Sequence, residues 1–186
     1  WEFLKKFILR YDVVIVSKEE FVRQDLPVRQ RVIPPAIDPL SPKNAEIPET
    51  TVLKYMRKFG VPLDKPLITQ VSRFDKWKDP EGVIEVFKLV KKEVDCRLVL
   101  CGSMAPDDPE GQQIFQRVVR KAGQLMKKGD VLLVTSENNI FVNALQRKSA
   151  IVIQKSIREG FGLSITEALW KGKPVVASSV GGIPLQ

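Results

Sequence analysis

The chain has 186 residues, of which 30 are Lys or Arg and 22 are Asp or Glu, so its formal net charge is +8. Hydrophobic residues make up 44% and charged residues 28%, which is the balance of an ordinary soluble globular protein. The sequence contains no histidine. Ser-His-Asp and Cys-His catalysis, histidine-ligated zinc and histidine pH switches are therefore excluded within this polypeptide.

The two cysteines, Cys96 and Cys101, lie in one apolar run. If this run is a strand, the two side chains point to opposite faces about 16 Å apart, which is beyond the reach of a disulfide. We therefore expect two buried free thiols and a reducing, cytoplasmic location. Because no apolar stretch reaches the ~18 residues of a membrane span, we expect no membrane partner.

Short apolar runs alternate with stretches of helical periodicity along most of the chain. Continuous β-branched runs are typical of strands buried in a parallel sheet, and the helices between them would provide the crossovers. The pattern predicts an α/β fold with a Rossmann-like, doubly wound parallel sheet. The predicted strands are 11–17, 30–33, 66–72, 97–101, 130–134, 150–153 and 174–177, and the predicted helices include 49–59, 80–90, 140–146 and 161–170.

Both ends of the chain are unusual for a self-contained domain. Residues 1–10 are amphipathic, and we interpret them as an inter-domain linker or the end of a helix. Residues 11–186 would then form one domain, which ends in a predicted loop. We therefore expect the chain to be part of a longer protein.

In a doubly wound fold, ligands bind at the carboxyl ends of the strands. Arg73 and Lys78 follow the third predicted strand and precede a helix, so both could hold one anion such as a phosphate. The alternative is a solvated charged loop. Gly102 follows the fourth strand, where a glycine permits close approach of a ligand or simply a tight turn.

The most informative segment lies between the sixth predicted strand and the next helix. Gly160 and Gly162 would expose backbone N–H groups that suit phosphate or sugar oxygens. Glu159 and Glu167 lie off the apolar face, and each carboxylate could accept hydrogen bonds from two neighbouring hydroxyl groups. The alternative interpretation is that Glu159 is a charge at a helix N-terminus and that Glu167 faces solvent.

The residues from Glu159 to Leu163, Glu167 and the glycine-containing segments 172–177 and 180–182 resemble the donor-site signature of the family 4 retaining glycosyltransferases. The basic pair and the glycine after the fourth strand match the same family, and the resemblance covers about residues 11 to 182. It implies a GT-B fold, in which two Rossmann-like domains face each other across a cleft. This chain would supply the C-terminal, donor-binding domain, and the N-terminal acceptor domain would be its partner.

The resemblance also assigns roles to individual residues. Arg73 and Lys78 would hold the diphosphate of a nucleotide-activated glucose, Glu159 the sugar hydroxyls, and residues 135–139 the base. It therefore implies Arg73, Lys78 and Glu159 as catalytic residues, and Gly102, Gly160, Phe161, Gly162, Leu163 and Glu167, the last at the ribose, as donor-binding residues.

The implied activity is transfer of glucose from an NDP-glucose (ADP-, UDP- or GDP-glucose) to a sugar acceptor, with the NDP as product and no metal or other cofactor. The loop 102–111 resembles that of the trehalose-forming members of the family, which implies glucose as the acceptor. Two alternatives stay open: a glucan or sucrose-type acceptor, or a non-catalytic nucleotide-binding module when the chain is isolated. The sequence also leaves open whether the protein forms a homo-oligomer.

The net charge of +8 raises nucleic acid as a further partner. The basic runs 5–6, 91–92 and 127–128 lie on polar helix faces, however, where solvated charge is the ordinary explanation. No nucleic-acid-binding motif accompanies them. We therefore expect no nucleic-acid partner.

Overall fold

The computed structural model describes residues 1–103 and 109–186. The helices are α1 (Glu2–Ile8), α2 (Glu49–Lys58), α3 (Pro80–Val90), α4 (Pro109–Lys127), α5 (Asn139–Lys148) and α6 (Leu163–Trp170). The strands are β1 (Val13–Val16), β2 (Arg29–Val32), β3 (Leu67–Val71), β4 (Arg97–Gly102), β5 (Val131–Thr135), β6 (Ser149–Gln154) and β7 (Val175–Ala177).

Five of these strands form one sheet in the order β5-β4-β3-β6-β7, and every pairing between them is parallel. The chain runs outward from β3 to β5 and then returns to β6 on the other side of β3. The prediction of a doubly wound parallel sheet is therefore confirmed. In such a sheet the ligand crevice lies where the strand order reverses, at the carboxyl ends of β3 and β6.

Separate apolar cores cover the two faces of this sheet. Phe87 of α3 and Val118 of α4 belong to the core on one face, while Met56 of α2 and Phe141 of α5 belong to the core on the other. The two cysteines divide between these cores, with Cys96 in the first and Cys101 in the second, and both are free and buried. The expectation of buried free thiols on opposite faces is confirmed.

The first two strands do not join the five-stranded sheet. β1 and β2 pair only with each other within the described residues, in parallel. The prediction of a strand within 11–17 is confirmed, but the prediction that it is buried is wrong, because Val13 is 42% exposed and Ile15 63% exposed. A continuous apolar run indicates a strand whose two faces are apolar, but it does not identify the element that covers them. The predicted domain boundary near residue 11 stays a prediction.

Two helix starts matter for the site. Asp79 caps α3 by accepting a hydrogen bond from the backbone N–H of Gly82 at 3.0 Å, as the Asp-Pro sequence predicts. Helix α6 begins at Leu163 rather than at residue 161, because Gly162 has a left-handed backbone with φ +92°.

Half of the predicted loop 102–111, residues 104–108, lies outside the described part of the chain. Of the rest, Gly102 ends β4 and α4 already begins at Pro109, so the loop is shorter than predicted. Within the described residues, no helix combines the length and the apolar character needed to cross a bilayer.

Candidate active site

The carboxyl ends of β3 and β4 meet at Gly102. The backbone N–H of Ser72 donates to the carbonyl of Cys101 at 2.9 Å, which continues the pairing of the two strands beyond β3. A Cβ atom added to Gly102 would lie 1.8 Å from the carbonyl oxygen of Ser72. Close packing between the two strand ends therefore requires glycine at this position.

The basic pair after β3 is divided between solvent and the interior. The side chain of Arg73 is 70% exposed and lies 3.3 Å from the Asp75 carboxylate. Asp75 also accepts hydrogen bonds from the backbone N–H groups of Trp77 and Lys78 and so fixes a short 3-10 turn. The side chain of Lys78 is only 17% exposed, and its carbonyl accepts from Gln70 at 2.8 Å. A solvated loop therefore describes Arg73 but not Lys78.

Lys78 reaches across the sheet edge to Glu159. Its Nζ atom lies 2.5 Å from Oε2 of Glu159, whose side chain is 10% exposed. The same Oε2 accepts from the hydroxyl of Ser156 at 3.2 Å, and that hydroxyl accepts from the amide of Gln154 at 3.0 Å. The other carboxylate oxygen accepts from the backbone N–H of Gly160 at 3.2 Å. Glu159 is therefore held by both of its oxygens.

The glycine-rich connection before α6 packs directly on the second glycine segment of the sequence signature. The backbone N–H of Gly182 donates to the carbonyl of Gly160 at 2.9 Å. Gly181 has φ +56°, and a Cβ atom there would lie 1.8 Å from the carbonyl oxygen of Glu159. Two glycines therefore let these loops touch backbone to backbone. Of the other predicted donor-binding residues, Phe161 and Gly162 are partly exposed, and Leu163, the first residue of α6, is exposed.

Glu167 is buried at 4% exposure, so the alternative that it faces solvent is wrong. Its Oε1 atom lies 2.8 Å from Nζ of Lys43, a residue of the loop between β2 and α2. Its Oε2 atom accepts a long hydrogen bond from the amide of Gln146 at 3.4 Å. A buried carboxylate is tolerated only with such partners, and Lys43 supplies the charge that compensates it.

Two cavities open at this edge, and Arg73 lines both of them. The first has a volume of about 280 Å³, and its polar lining consists of Lys43, Ser72, Arg73, Ser103, Ser136, Glu137, Asn139 and Ser164. The second has a volume of about 300 Å³ and is lined by Arg73, Asp75, Trp77, Lys78, Arg158, Glu159 and Gly160. Part of the predicted base-contacting stretch 135–139 thus shares a cavity with Arg73, and Glu159 shares the other.

Sequence reasoning missed three residues of this edge: Lys43, Trp77 and Arg158. The guanidinium of Arg158 lies 4.8 Å from the ring centroid of Trp77, within cation–π range. The backbone N–H of Ile157 also donates to the carbonyl of Trp77 at 2.7 Å. Trp77 lies inside the charged run that contains the basic pair, and this position could have indicated that it belongs to the site. Lys43 lies in a proline-rich loop, where nothing in the sequence indicates a role in the site.

Lys171 is a second lysine near Glu167, and its pKa is lowered. Burial lowers the pKa of Lys171 to about 8, against the opposing attraction of Glu167, and the positive charges of Arg147 and Lys43 lower it further. Its Nζ atom donates to Oδ1 of Asn44 at 2.9 Å and to the carbonyl of Glu167 at 3.1 Å. The surroundings of Glu167 therefore hold several cations in a confined space.

The fold is a parallel sheet covered by helices on both faces, and Glu159 lies beside a glycine-rich connection at the carboxyl edge of that sheet. These features define a Rossmann-like domain of the GT-B type. The chain belongs to the family described as glycosyl transferases group 1, whose sequence model matches residues 52–186.

Known proteins agree with this assignment. The chain is 47% identical over 191 aligned residues to a trehalose synthase of Thermococcus litoralis, covering all of this chain and 46% of that protein. It is also 47% identical to a trehalose synthase of Rubrobacter xylanophilus, of which it covers 45%. A sucrose-phosphate synthase structure from Thermosynechococcus elongatus superposes with a TM-score of 0.76 at 23% identity, over 97% of this chain and 44% of that one. The chain thus spans about half the length of the curated relatives it matches.

Proposed function

We propose that residues 11–186 bind the sugar donor of a retaining glucosyltransferase that transfers glucose from an NDP-glucose to glucose and so forms trehalose. The observation that carries the proposal is the ion pair between Lys78 and Glu159, with 2.5 Å between Nζ and Oε2. It joins the basic pair to the glycine-rich connection, and these are the two halves of the predicted donor site. The 47% identity to trehalose synthases supports the trehalose product.

The two cavities suggest how the donor lies. The first, with Lys43 and residues of the 135–139 stretch, accommodates the nucleoside, and the second, with Glu159 and Trp77, accommodates the glucosyl group. Arg73 borders both, so its exposed guanidinium is available to bridge them. A diphosphate is the part of the donor that joins nucleoside and sugar, and a guanidinium binds it with paired hydrogen bonds.

The chemistry follows from charge. When the bond between the anomeric carbon and the diphosphate breaks, negative charge develops on the leaving oxygen. Arg73 and Lys78 stabilise that charge, and such preorganised groups lower a barrier by about 3 kcal/mol each. Glu159, paired with Lys78, accepts hydrogen bonds from the sugar hydroxyls, while Glu167 receives those of the ribose. No metal or other cofactor is required in this scheme.

The identity of the acceptor, and whether this chain transfers sugar by itself, are separate questions from donor binding. Residues 1–10 would link this domain to an acceptor domain of the same protein, and that domain would supply most of the acceptor pocket. A glucan or sucrose-type acceptor is the competing candidate. The isolated chain would then bind nucleotide weakly without transferring sugar.

Calorimetric titration of the full-length protein with UDP, ADP and GDP tests donor binding, and product analysis with the matching NDP-glucose and glucose tests the acceptor. We expect one nucleotide to bind preferentially, trehalose to form in the presence of EDTA, and Arg73→Ala to weaken nucleotide binding about tenfold. Lys88→Ala is the matched control, because Lys88 pairs with Glu85 on α3 outside both cavities. Absence of nucleotide binding, or a product other than trehalose, would contradict the donor and acceptor assignments respectively.

A further inference from the structure

The segment that carries Lys43 is fixed to the helices behind the site by buried polar contacts. The amide of Asn143 in α5 donates to the carbonyls of Pro42 at 3.1 Å and Ala45 at 2.8 Å. Asn44 is buried, and its Oδ1 atom accepts from Lys171. Because ordinary surface loops leave their backbone to water, this number of buried side-chain partners indicates a loop held in a defined position.

In that position the side chain of Lys43 both lines the first cavity and contacts Glu167. Lys43 lines the cavity together with Arg73. Among the described residues it is the one cation within ion-pair distance of the Glu167 carboxylate, with 2.8 Å between Nζ and Oε1. Lys171 contacts only the backbone carbonyl of Glu167. The orientation of the buried carboxylate therefore depends on Lys43.

The remaining contact of the carboxylate is too weak to orient it. Gln146 reaches Oε2 at 3.4 Å, near the limit of a hydrogen bond, and the same amide is shared with the carbonyl of Ser164 at 3.4 Å. Without Lys43, the buried Glu167 carboxylate would lose its ion-pair partner, and only the weak contact with Gln146 would hold its rotamer. A changed rotamer removes an acceptor from the position that a ribose diol requires.

We infer that Lys43 is a positioning residue for ribose recognition: its ion pair with Glu167 directs the carboxylate to the 2′- and 3′-hydroxyl groups of the donor nucleotide. The inference rests on the proposed function, because it assumes that the first cavity holds the nucleoside. It assigns a specificity role to a loop that precedes the five-stranded sheet in the chain.

The test is the discrimination between a nucleoside diphosphate and its 2′-deoxy counterpart, measured by calorimetry on the full-length protein. The probe is whichever of UDP, ADP and GDP binds the unmodified protein most tightly. We expect the 2′-deoxy form to bind about tenfold more weakly, as for loss of a hydrogen bond to a charged group. Lys43→Met should reduce this ratio to about twofold, and Lys43→Arg should restore most of it, because it retains the positive charge.

A purely structural role for Lys43 predicts a different result. If the residue only anchors its loop, Lys43→Met weakens both nucleotides equally and the ratio stays near that of the unmodified protein, which overturns the inference. The control is Lys148→Met, since Lys148 pairs with exposed Glu49 outside the cavity and should leave the ratio unchanged.

Glu167→Gln provides a readout that does not depend on how well Lys43→Met folds. Both the Glu167→Gln protein and its combination with Lys43→Arg should show the reduced ratio. If the Glu167→Gln protein keeps the affinity ratio of the unmodified protein, the inference is overturned. Failure of the unmodified protein to bind any of the three diphosphates overturns the proposed function itself, and the two failures are thereby distinguished.

Discussion

Lys78 and Glu159 are 81 positions apart in the chain, yet their charged groups lie 2.5 Å apart at the carboxyl edge of the sheet. Neither side chain is more than 17% exposed. An ion pair so little exposed is costly to break, because the remaining charge keeps its desolvation penalty without its partner. The pair therefore links the stability of this edge to the residues proposed to bind the donor.

Lys78→Met and Arg73→Ala should separate the effect of this edge on stability from its effect on nucleotide binding. We expect Lys78→Met to lower the free energy of unfolding by about 2 kcal/mol, because it leaves the Glu159 carboxylate without its cation. Arg73→Ala should change it by less than about 0.5 kcal/mol, because that side chain is 70% exposed. Both should weaken nucleotide binding. Urea unfolding and calorimetry of the same preparations measure the two effects.

The double variant Lys78→Met/Glu159→Gln is the control for the ion pair. Removing both charges should recover part of the stability that Lys78→Met loses, since no unpaired carboxylate remains. A double variant less stable than the sum of its single changes would contradict the ion-pair explanation.

Ser156 is expected to control the sugar rather than the nucleotide. Its hydroxyl donates to Glu159 and accepts from Gln154, and all three side chains belong to one buried chain of hydrogen bonds. Ser156→Ala should cost about 1 to 2 kcal/mol of stability, because the Gln154 amide loses its acceptor. It should weaken binding of NDP-glucose more than that of the NDP alone. Equal weakening of both ligands would contradict a role through Glu159.

The sheet could be predicted from the sequence, and the residues of the candidate site could be proposed from it, because both depend on local signals. Apolar runs of strand length, the Asp79-Pro80 helix start and the glycines around Phe161 each restrict the nearby backbone strongly. In a doubly wound sheet the strand ends lie at one edge, so residues that follow strands meet there without further information. That rule places Arg73 and Glu159 together.

The features that sequence reasoning missed depend on distant contacts. Lys43 carries no local signal, and its importance comes from Glu167, more than 100 positions away. The exposure of β1 was missed for a similar reason, because an apolar strand sequence does not show whether another element covers the strand. The sequence marked Glu167 as a possible acceptor of hydroxyl hydrogen bonds, but its burial and its contacts with Lys43 and Gln146 come from other segments of the chain.

Gly102 should be far less tolerant of a methyl group than a glycine in a helix. In Gly102→Ala the new Cβ would meet the Ser72 carbonyl, which is backbone and cannot rotate away. We expect a loss of at least about 3 kcal/mol in the free energy of unfolding. Gly123→Ala in α4 is the control, because no atom lies within 4 Å of its new Cβ, and it should raise stability by up to about 1 kcal/mol. Similar effects of the two changes would contradict the steric explanation.

The two thiols should report global unfolding. Burial raises the pKa of Cys101 to about 12 and also raises the pKa of Cys96, so neither forms a thiolate readily in the folded protein. We expect a thiol-specific reagent at pH 8 to react only as fast as the chain unfolds, and the rate to rise with urea along the unfolding curve. Rapid modification of either thiol without urea would show that one face of the sheet opens independently.

Lys171 should make stability increase with pH in a defined window. Its pKa is lowered from 10.5 to about 8 in the folded protein, so between these values the unfolded chain binds a proton that the folded chain has released. Stability rises with pH wherever the unfolded state binds more protons, so this contribution increases from about pH 8 to about pH 10.5. Lys171→Met should abolish it, and urea unfolding at several pH values measures the difference between the two proteins.

The comparison has to be made as a difference because Cys101 acts in the opposite sense. Its raised pKa means that the unfolded chain loses a proton between pH 9 and about pH 12 that the folded chain keeps, so its contribution falls with pH. Cys101 is present in both proteins and cancels in the difference. Lys127→Met is the control, since Lys127 lies in the last turn of α4, away from Glu167 and Lys43. A stability difference between unmodified protein and Lys171→Met that stays constant from pH 7 to pH 10 would contradict a Lys171 pKa near 8.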